Sequence, residues 1–525
     1  MLYPTITITL ILFAAQTYAA CYDPSPAFLP PKSSTYRDSP ILNDAFKTIT
    51  ASLDRLIVAQ PEFDTSSFSI EVTTSTHSLW ELHHTARDKD PKRPGAEKVT
   101  GESVYRVASI TKAFTALAII QQHVAGNLSI DDTIDQYLDL GGDIQWSDIT
   151  LQTVASQLSG IPRDFAMSDI FYGFPDAVSL GLPPVSDEGV PKCDSPCSGD
   201  AIRQPMWPPK HKSSYSNINF DLLGLVVENV TGLGTGGLYS TTSDMSKFLR
   251  HVLATHNTLS PQLNWFSPGS YSESLSSYYG MPWEIYRTSS MLPSTLRPVT
   301  FITKGGSLPG YFTYVIMAPD YDLGISIFTA GPANLLDLIR EAVTVPLLRA
   351  AEETAQGDLN DRYTGIFAAA APLNSTLVLG QSDTKALYID SFISNSTVIL
   401  EAWQRPLSSL TQGAPFRIQL VPSLSSREDD AGRKGEVWRG VLVPEKRGTG
   451  AWDDQCMTNY DPLSYANKPL LEVVFWGGEG GVMKEIEMVG FRVVLGRVEG
   501  GGEGRETLDV NKDGFTKENG QKVLG

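Results

Sequence analysis

The chain has 525 residues, 41% of them apolar and 19% charged. At a prior of ~150 residues per domain this is a globular chain of two to four domains, with enough apolar material for a core that needs no disulfide scaffold. Lys and Arg number 41 against 59 Asp and Glu, a formal charge of −18, which opposes phosphate backbones and anionic lipid and excludes nucleic acid as an expected partner.

Residues 5–20, TITITLILFAAQTYAA, form one apolar run of signal-peptide length, with Ala19 placed for cleavage but no basic residue ahead of it. A buried N-terminal helix or an anchor is the alternative reading. No later segment carries a run long and apolar enough to span a membrane. The expectation is a secreted chain without membrane contact once residues 1–19 are removed. Four Asn-x-Ser/Thr sequons, at Asn127, Asn229, Asn374 and Asn395, fit a glycoprotein. Cys193 and Cys197 bracket a Pro-containing loop and could bridge, which leaves Cys21 with Cys456; four cysteines allow three connectivities and the sequence does not choose. The histidines include no HExxH and no close Cys/His cluster, so neither a metal nor a cofactor is expected.

Residues 20–40 read as a Pro- and Ser-rich lead-in. Helical spacing follows over 41–60, strands over 67–84 and 102–108, and a strongly apolar helix over 109–125. A loop-rich stretch spans 165–213. Helices are predicted near 219–230 and 242–255, a strand pair at 299–303 and 311–317, a strand at 322–329 and a helix at 333–352. Composition shifts over 352–361, read as a linker. From 362 to 498 short strand-like runs, including TVILEAW and GEVWRGVLV, predict an all-β domain, with Trp403, Trp438 and Trp476 as core. Residues 499–525 are a polar tail. Its Asp509–Gly514 stretch opens like a calcium loop, but the twelfth position is Gly520 where a Glu is needed, so it is set aside.

Three short segments carry chemistry. Ser109-Ile110-Thr111-Lys112 puts a serine and a lysine three apart, neighbours on one helix face. Burial would depress the lysine towards a usable base for the serine. Alone, the plainer reading is a capping serine and a snorkelling lysine. Tyr215-Ser216-Asn217 offers a proton-shuttling phenol and an amide for a lysine or a substrate carbonyl; the plainer reading is a turn with an Asn cap. Lys304-Gly305-Gly306-Ser307 puts a cation and small residues at the end of an apolar strand, where a backbone N–H could serve an oxyanion; the plainer reading is a hairpin turn.

Together and in this order, S-x-x-K, Y-x-N and K-G-G resemble the serine β-lactamase/penicillin-binding-protein superfamily, in its class C β-lactamase and esterase form. VYRVASITKAFTALAI, ASQLSGIPRD, YSNINFDLLGLVVENVTG, GGLYSTTSDMSKFL and GGSLPGYFTYVIMAPD extend the resemblance over about residues 40–350. A signal peptide plus a β-rich C-terminal domain looks like secreted fungal β-lactamase-like proteins. The resemblance implies an α/β fold over 41–351, a β-lactamase/transpeptidase-like sandwich of an antiparallel sheet flanked by helices, followed by the additional C-terminal all-β domain. It implies Ser109 as acylated nucleophile and Lys112 with Tyr215 as the base system. Asn217 and Lys304 would serve substrate and proton network, and the backbone N–H groups of Ser109 and Ser307, beside Gly306, the oxyanion. Trp283 and Tyr311 are candidates for the cleft lining.

Two departures stand out. Val230-Thr231-Gly232 runs straight into Gly236-Gly237-Leu238 where the family has a further helix and loop, so the helical part is expected to be shortened near 232–236. Gly305 stands where the family has Thr or Ser, which removes a hydroxyl able to hold a substrate carboxylate. The expectation is a hydrolase for a small-molecule ester or amide, hydrolysing or transferring an acyl group in secondary metabolism. The alternative is a catalytically impaired binding or structural protein.

Overall fold

The structure is a computed structural model. It describes residues 28–92, 95–141, 144–165, 178–182, 205–233, 237–332, 334–382, 385–411, 413–444, 461–477 and 481–498. Residues 5–20, all four cysteines, the junction at 234–236 and the polar tail lie outside them. The chain divides into two compact units, Pro30–Thr354 and Ala355–Gly525 with Met1–Leu29.

The first unit carries α1 (Ser33–Asp38), α2 (Pro40–Ala59), β1 (Ser67–Thr73), β2 (Ser78–His84), β3 (Tyr105–Arg106), α3 (Thr111–Val124), α4 (Leu151–Ala155), α5 (Ile218–Thr231), β4 (Tyr239–Ser240) and α6 (Thr242–Thr255). Strands β5 (Ser270–Tyr271), β6 (Ser277–Tyr279), β7 (Glu284–Thr288), β8 (Val299–Leu308), β9 (Tyr311–Ala318) and β10 (Leu323–Ala330) follow, then the long helix α7 (Leu336–Tyr363), of which the part up to Thr354 belongs to this unit. Helix α2 forms where expected. Ser39 caps it by accepting from Leu42 N–H, and Leu42, Ala45, Phe46, Ile49 and Leu53 make its buried face at helical spacing.

The eight-stranded sheet runs β2-β1-β10-β9-β8-β7-β6-β5, antiparallel throughout. Its centre is buried on both faces. Ile285, Ile302, Val315 and Met317 join α3, α5 and α6 in one core. On the other face Arg340 of α7 lies over the Tyr314 ring. An antiparallel sheet between two helix layers is the architecture expected over 41–351.

Several expectations change. The strand read over 102–108 is two residues long and pairs with β4. The residues read as a 352–361 linker are helical, the continuation of α7. Lys304–Ser307 is strand, not turn, because β8 stays paired with β9 up to Leu308↔Tyr311. Strands β5–β7 are additions to the expected elements: SYSESLSSYY, which holds β5 and β6, has no apolar alternation, and β7 is only five residues long. Trp283 has no exposed surface and packs tilted against Trp265 in the core, ring centroids 5.0 Å apart, so it is not a cleft wall. Tyr311 is half-buried against the same core.

The second unit contains β11 (Gly365–Ala368), β12 (Thr376–Gln381), β13 (Leu387–Ser394), β14 (Thr397–Val398), α8 (Ile399–Gln404), β15 (Phe416–Glu428), β16 (Lys434–Pro444), β17 (Ser464–Tyr465), β18 (Lys468–Pro469), β19 (Glu472–Trp476), β20 (Glu485–Met488) and β21 (Val493–Arg497). Its nine-stranded sheet, β12-β11-β21-β20-β19-β16-β15-β13-β14, closes through an added β12–β13 pairing. The result is an antiparallel barrel with β14 outside the ring. Trp438 and Trp476 are buried in it, as expected of core. Trp403 is not on a strand: TVILEAW turns into α8, where its ring stacks on Phe491 with centroids 5.7 Å apart.

Candidate active site

The site begins at a tight turn. Ala108–Ile110 is a single 3-10 turn leading into α3, and Ser109 sits on it, half-buried. Ala108 has φ +48°, a left-handed conformation costly for a residue with a Cβ. The neighbouring Val107 holds it there. Val107 N–H donates to Leu238 O at 3.2 Å, and its carbonyl accepts from Ile110 N–H at 3.1 Å and from the Thr313 hydroxyl at 3.0 Å. Strand β8 presses against this turn: a Cβ on Gly306 would stand 2.3 Å from Val107 O. Gly306 therefore acts by having no side chain.

Lys112, the second residue of α3, is 8% exposed. Its Nζ donates to Ser109 Oγ at 3.1 Å and to Asn217 Oδ1 at 2.9 Å. Tyr215 donates from its phenol to Ser109 Oγ at 2.9 Å. The loop ASQLSGIPRD cradles the second motif. Gln157 Oε1 accepts from Ser216 N–H at 2.8 Å, Pro162 O from the Ser216 hydroxyl at 2.8 Å, and Arg163 O from Asn217 N–H at 2.8 Å. Asn217 precedes α5, yet its side chain does not cap the helix. Its Oδ1 takes Lys112 and its Nδ2 donates to Asp164 Oδ1 at 2.7 Å.

Lys304 is 1% exposed, and its Nζ donates to Glu284 Oε1 at 2.6 Å and to Gly305 O at 3.0 Å. Gly305 N–H donates to Glu284 Oε2 at 3.1 Å. Successive strand N–H groups alternate sides, so Ser307 N–H points the same way as Gly305 N–H. Strand β7 pairs with β8 only as far as Thr303, which leaves Ser307 N–H along an open edge. Gly306 N–H points to β9 and is not an oxyanion donor. Gly305 faces the Tyr314 ring, whose nearest carbon would be 3.1 Å from an added Cβ, so a threonine there would crowd it.

The electrostatics follow from these contacts. Burial pushes the Lys112 ammonium below its ordinary value, and the Lys304 charge adds to this against the pull of Tyr215. Burial works to raise the Tyr215 phenol, but the fields of Lys304 and Lys112 with the Ser109 hydrogen bond outweigh it and hold it below the usual range. Burial opposes the Lys304 charge, but Glu284 and then Tyr215 hold it above the ordinary lysine value. One cation thus stays charged while two groups touching Ser109 Oγ move towards proton acceptance.

Ser109, Lys112, Tyr215, Asn217 and Lys304 come together as one cluster. The sequence reading missed Asp164 and Glu284. Asp164 lies inside a quoted motif but carried no signal of its own, and Glu284 acts only through the β7–β8 register. A cavity of about 490 Å³ on the other sheet face, lined by Tyr286, Phe301, Tyr314 and Arg340 among others, includes Glu284 but none of Ser109, Lys112 and Tyr215. The four sequon asparagines are exposed.

A serine touched by both a depressed lysine and a depressed tyrosine, beside a charged lysine on a strand, is an S-x-x-K hydrolase constellation. The chain belongs to the β-lactamase family, and with it to the β-lactamase-like serine hydrolases: the family's model matches residues 53–235 and 232–345. The family described as "Beta-lactamase-like-like, C-terminal domain" matches 355–499. A probable hydrolase of Phoma sp. is 30% identical across 93% of each chain. A β-lactamase-like protein of Arthroderma benhamiae is 26% identical across 89% of this chain and 94% of its own. A solved class C β-lactamase superposes with TM-score 0.44 at 15% identity, covering 58% of this chain and 96% of that one. The two β-lactamase matches overlap at 232–235, within the stretch expected from the sequence to be shortened.

Proposed function

We propose that the protein is a secreted hydrolase that cleaves a small ester or amide through an acyl-Ser109 intermediate, with hydrolysis or acyl transfer on a secondary-metabolite intermediate as its task. The observation that carries this is Ser109 Oγ, 3.1 Å from Lys112 Nζ and 2.9 Å from Tyr215 O. Ser109 Oγ attacks the substrate carbonyl and its proton passes to the Lys112–Tyr215 pair. The tetrahedral oxyanion rests on the N–H groups of Ser109 and Ser307. Collapse breaks the bond to the leaving group, which takes the proton back. Water or an alcohol then attacks the acyl-serine by the same steps in reverse and regenerates Ser109. Relatives named as hydrolases, the "probable hydrolase" of Phoma sp. among them, support the class, and the apolar 5–20 run supports secretion.

The test is covalent labelling. A fluorophosphonate should form an adduct on Ser109 that mass spectrometry locates. Ser109→Ala should abolish labelling and lower turnover of any ester substrate by about 10⁴-fold or more. A folded wild-type protein that gives no adduct would refute this reading and favour the impaired binding protein, for which the 232–236 junction is the motive. N-terminal sequencing of protein from culture supernatant should begin after Ala19 and not at Met1.

A further inference from the structure

Three cations surround one phenol ring. Lys112 Nζ lies 5.4 Å, Lys304 Nζ 5.1 Å and Arg163 Cζ 5.1 Å from the Tyr215 ring centroid. Two of them are engaged and enclosed. Lys112 is committed to Ser109 and Asn217, and Lys304 to Glu284 and Gly305 O.

Arg163 is different. Its side chain is 67% exposed, and among the described residues its one ion-pair partner is the adjacent Asp164, 3.4 Å from Nε. Asp164 is itself occupied by Asn217 Nδ2. The two Nη groups keep their donors, in the planar fork that suits a carboxylate. The backbone fixes where the side chain starts, because Arg163 O and Pro162 O both bond the Tyr215–Asn217 loop. Burial and then the Glu284 carboxylate raise the Tyr279 phenol, against the charges of Lys304 and Arg163, so it stays a neutral O–H donor. The position where a hydroxyl would serve a substrate carboxylate from β8 is Gly305. Arg163 is thus the cation left to read substrate charge at the rim of the catalytic cluster.

We propose that Arg163 is a specificity-determining residue and that the substrate is an ester or amide carrying a carboxylate, which the guanidinium engages while the scissile carbonyl sits at Ser109. The proposal rests on the acyl-Ser109 reading. In a chain of charge −18, a local guanidinium is what lets an anionic substrate approach the site.

The test compares 4-nitrophenyl hydrogen adipate, which carries a free carboxylate, with 4-nitrophenyl methyl adipate, which does not. The wild-type protein should favour the acid about tenfold to a hundredfold in kcat/KM, as a charge-assisted hydrogen bond predicts. The preference should appear in KM and shrink as salt rises. Arg163→Gln should erase it and Arg163→Lys should retain part. An acid-to-ester ratio unchanged in Arg163→Gln overturns the proposal. If neither ester is turned over, calorimetric binding of the half-ester to Ser109→Ala decides: weaker binding in the Arg163→Gln double variant supports the proposal, and equal or absent binding overturns it. Fluorophosphonate labelling separates this outcome from a failed nucleophile.

Discussion

Replacing Lys304 by Met tests the electrostatic design of the site most directly. Lys304 lowers both groups that touch Ser109 Oγ: it is the cation that depresses Tyr215 most and the one that adds to burial at Lys112. Removing it should raise both, so the direction holds whichever of the two accepts the serine proton. At 5.1 Å from the Tyr215 ring, an effective dielectric near 20 makes the interaction about 3 kcal/mol, or about two pH units. Measured as the pH dependence of Ser109 acylation by a fluorophosphonate, which follows the free enzyme, the ascending limb should move alkaline by roughly one to two units. The rate should recover at high pH. Lys304→Arg keeps the charge and should hold the limb near its wild-type position. A variant that is folded and slow at every pH, with an unmoved limb, would refute the argument and leave Lys304 a packing residue. The stability consequence has a definite sign. Lys304 is held above its ordinary value in the fold, so its pairing with Glu284 contributes fully below the ordinary lysine value and is lost as pH climbs through the raised one. The Met variant should lack that alkaline decline.

Further predictions concern packing. Gly306→Ala puts a Cβ 2.3 Å from Val107 O and 2.5 Å from Thr313 Oγ1, so the nucleophile turn must shift; acylation should fall about 10²-fold, and an unchanged rate would contradict the close approach. Gly357 in α7 has nothing within 4 Å of an added Cβ, so Gly357→Ala should raise unfolding stability by about 0.5–1 kcal/mol in a denaturant titration. Glu352→Gln removes the carboxylate charge that pairs with the Arg297 guanidinium, 3% exposed; it should cost about 3–5 kcal/mol in the same titration, and a loss under 1 kcal/mol would contradict a strong buried pair.

Local patterns made much of the frame legible. Helices α2, α5 and α6 lie within a residue or so of their predicted bounds because each has an apolar stripe of clear period and a defined start. What escaped depended on partners distant in sequence. Strands β5–β7 are polar and short, and pairing onto the edge of β8, not their own composition, makes them strands. The helical run 352–361 looked like a composition break because α7 ends in polar residues that continue its hydrogen bonding. At the site, residue types named Ser109, Lys112, Tyr215 and Lys304 as chemically able. They could not reveal that Asn217 is held at both ends of its amide, or that Glu284 reaches Lys304 from the neighbouring strand. Those facts belong to register and loop packing.

The ring closure in the second unit bears on how that unit fails. Strand β12 bonds to both β11 and β13, so each strand of the ring has two neighbours, and β14 and the β17–β18 pair lie outside the ring. Such a ring gives a foreign strand little backbone to dock on. It also resists slippage. Sliding one strand by a residue would turn its core side chains outward and would have to be matched by every other strand around the circle. Damage to this unit should therefore proceed by cooperative opening of the whole circle and not by peeling from an end.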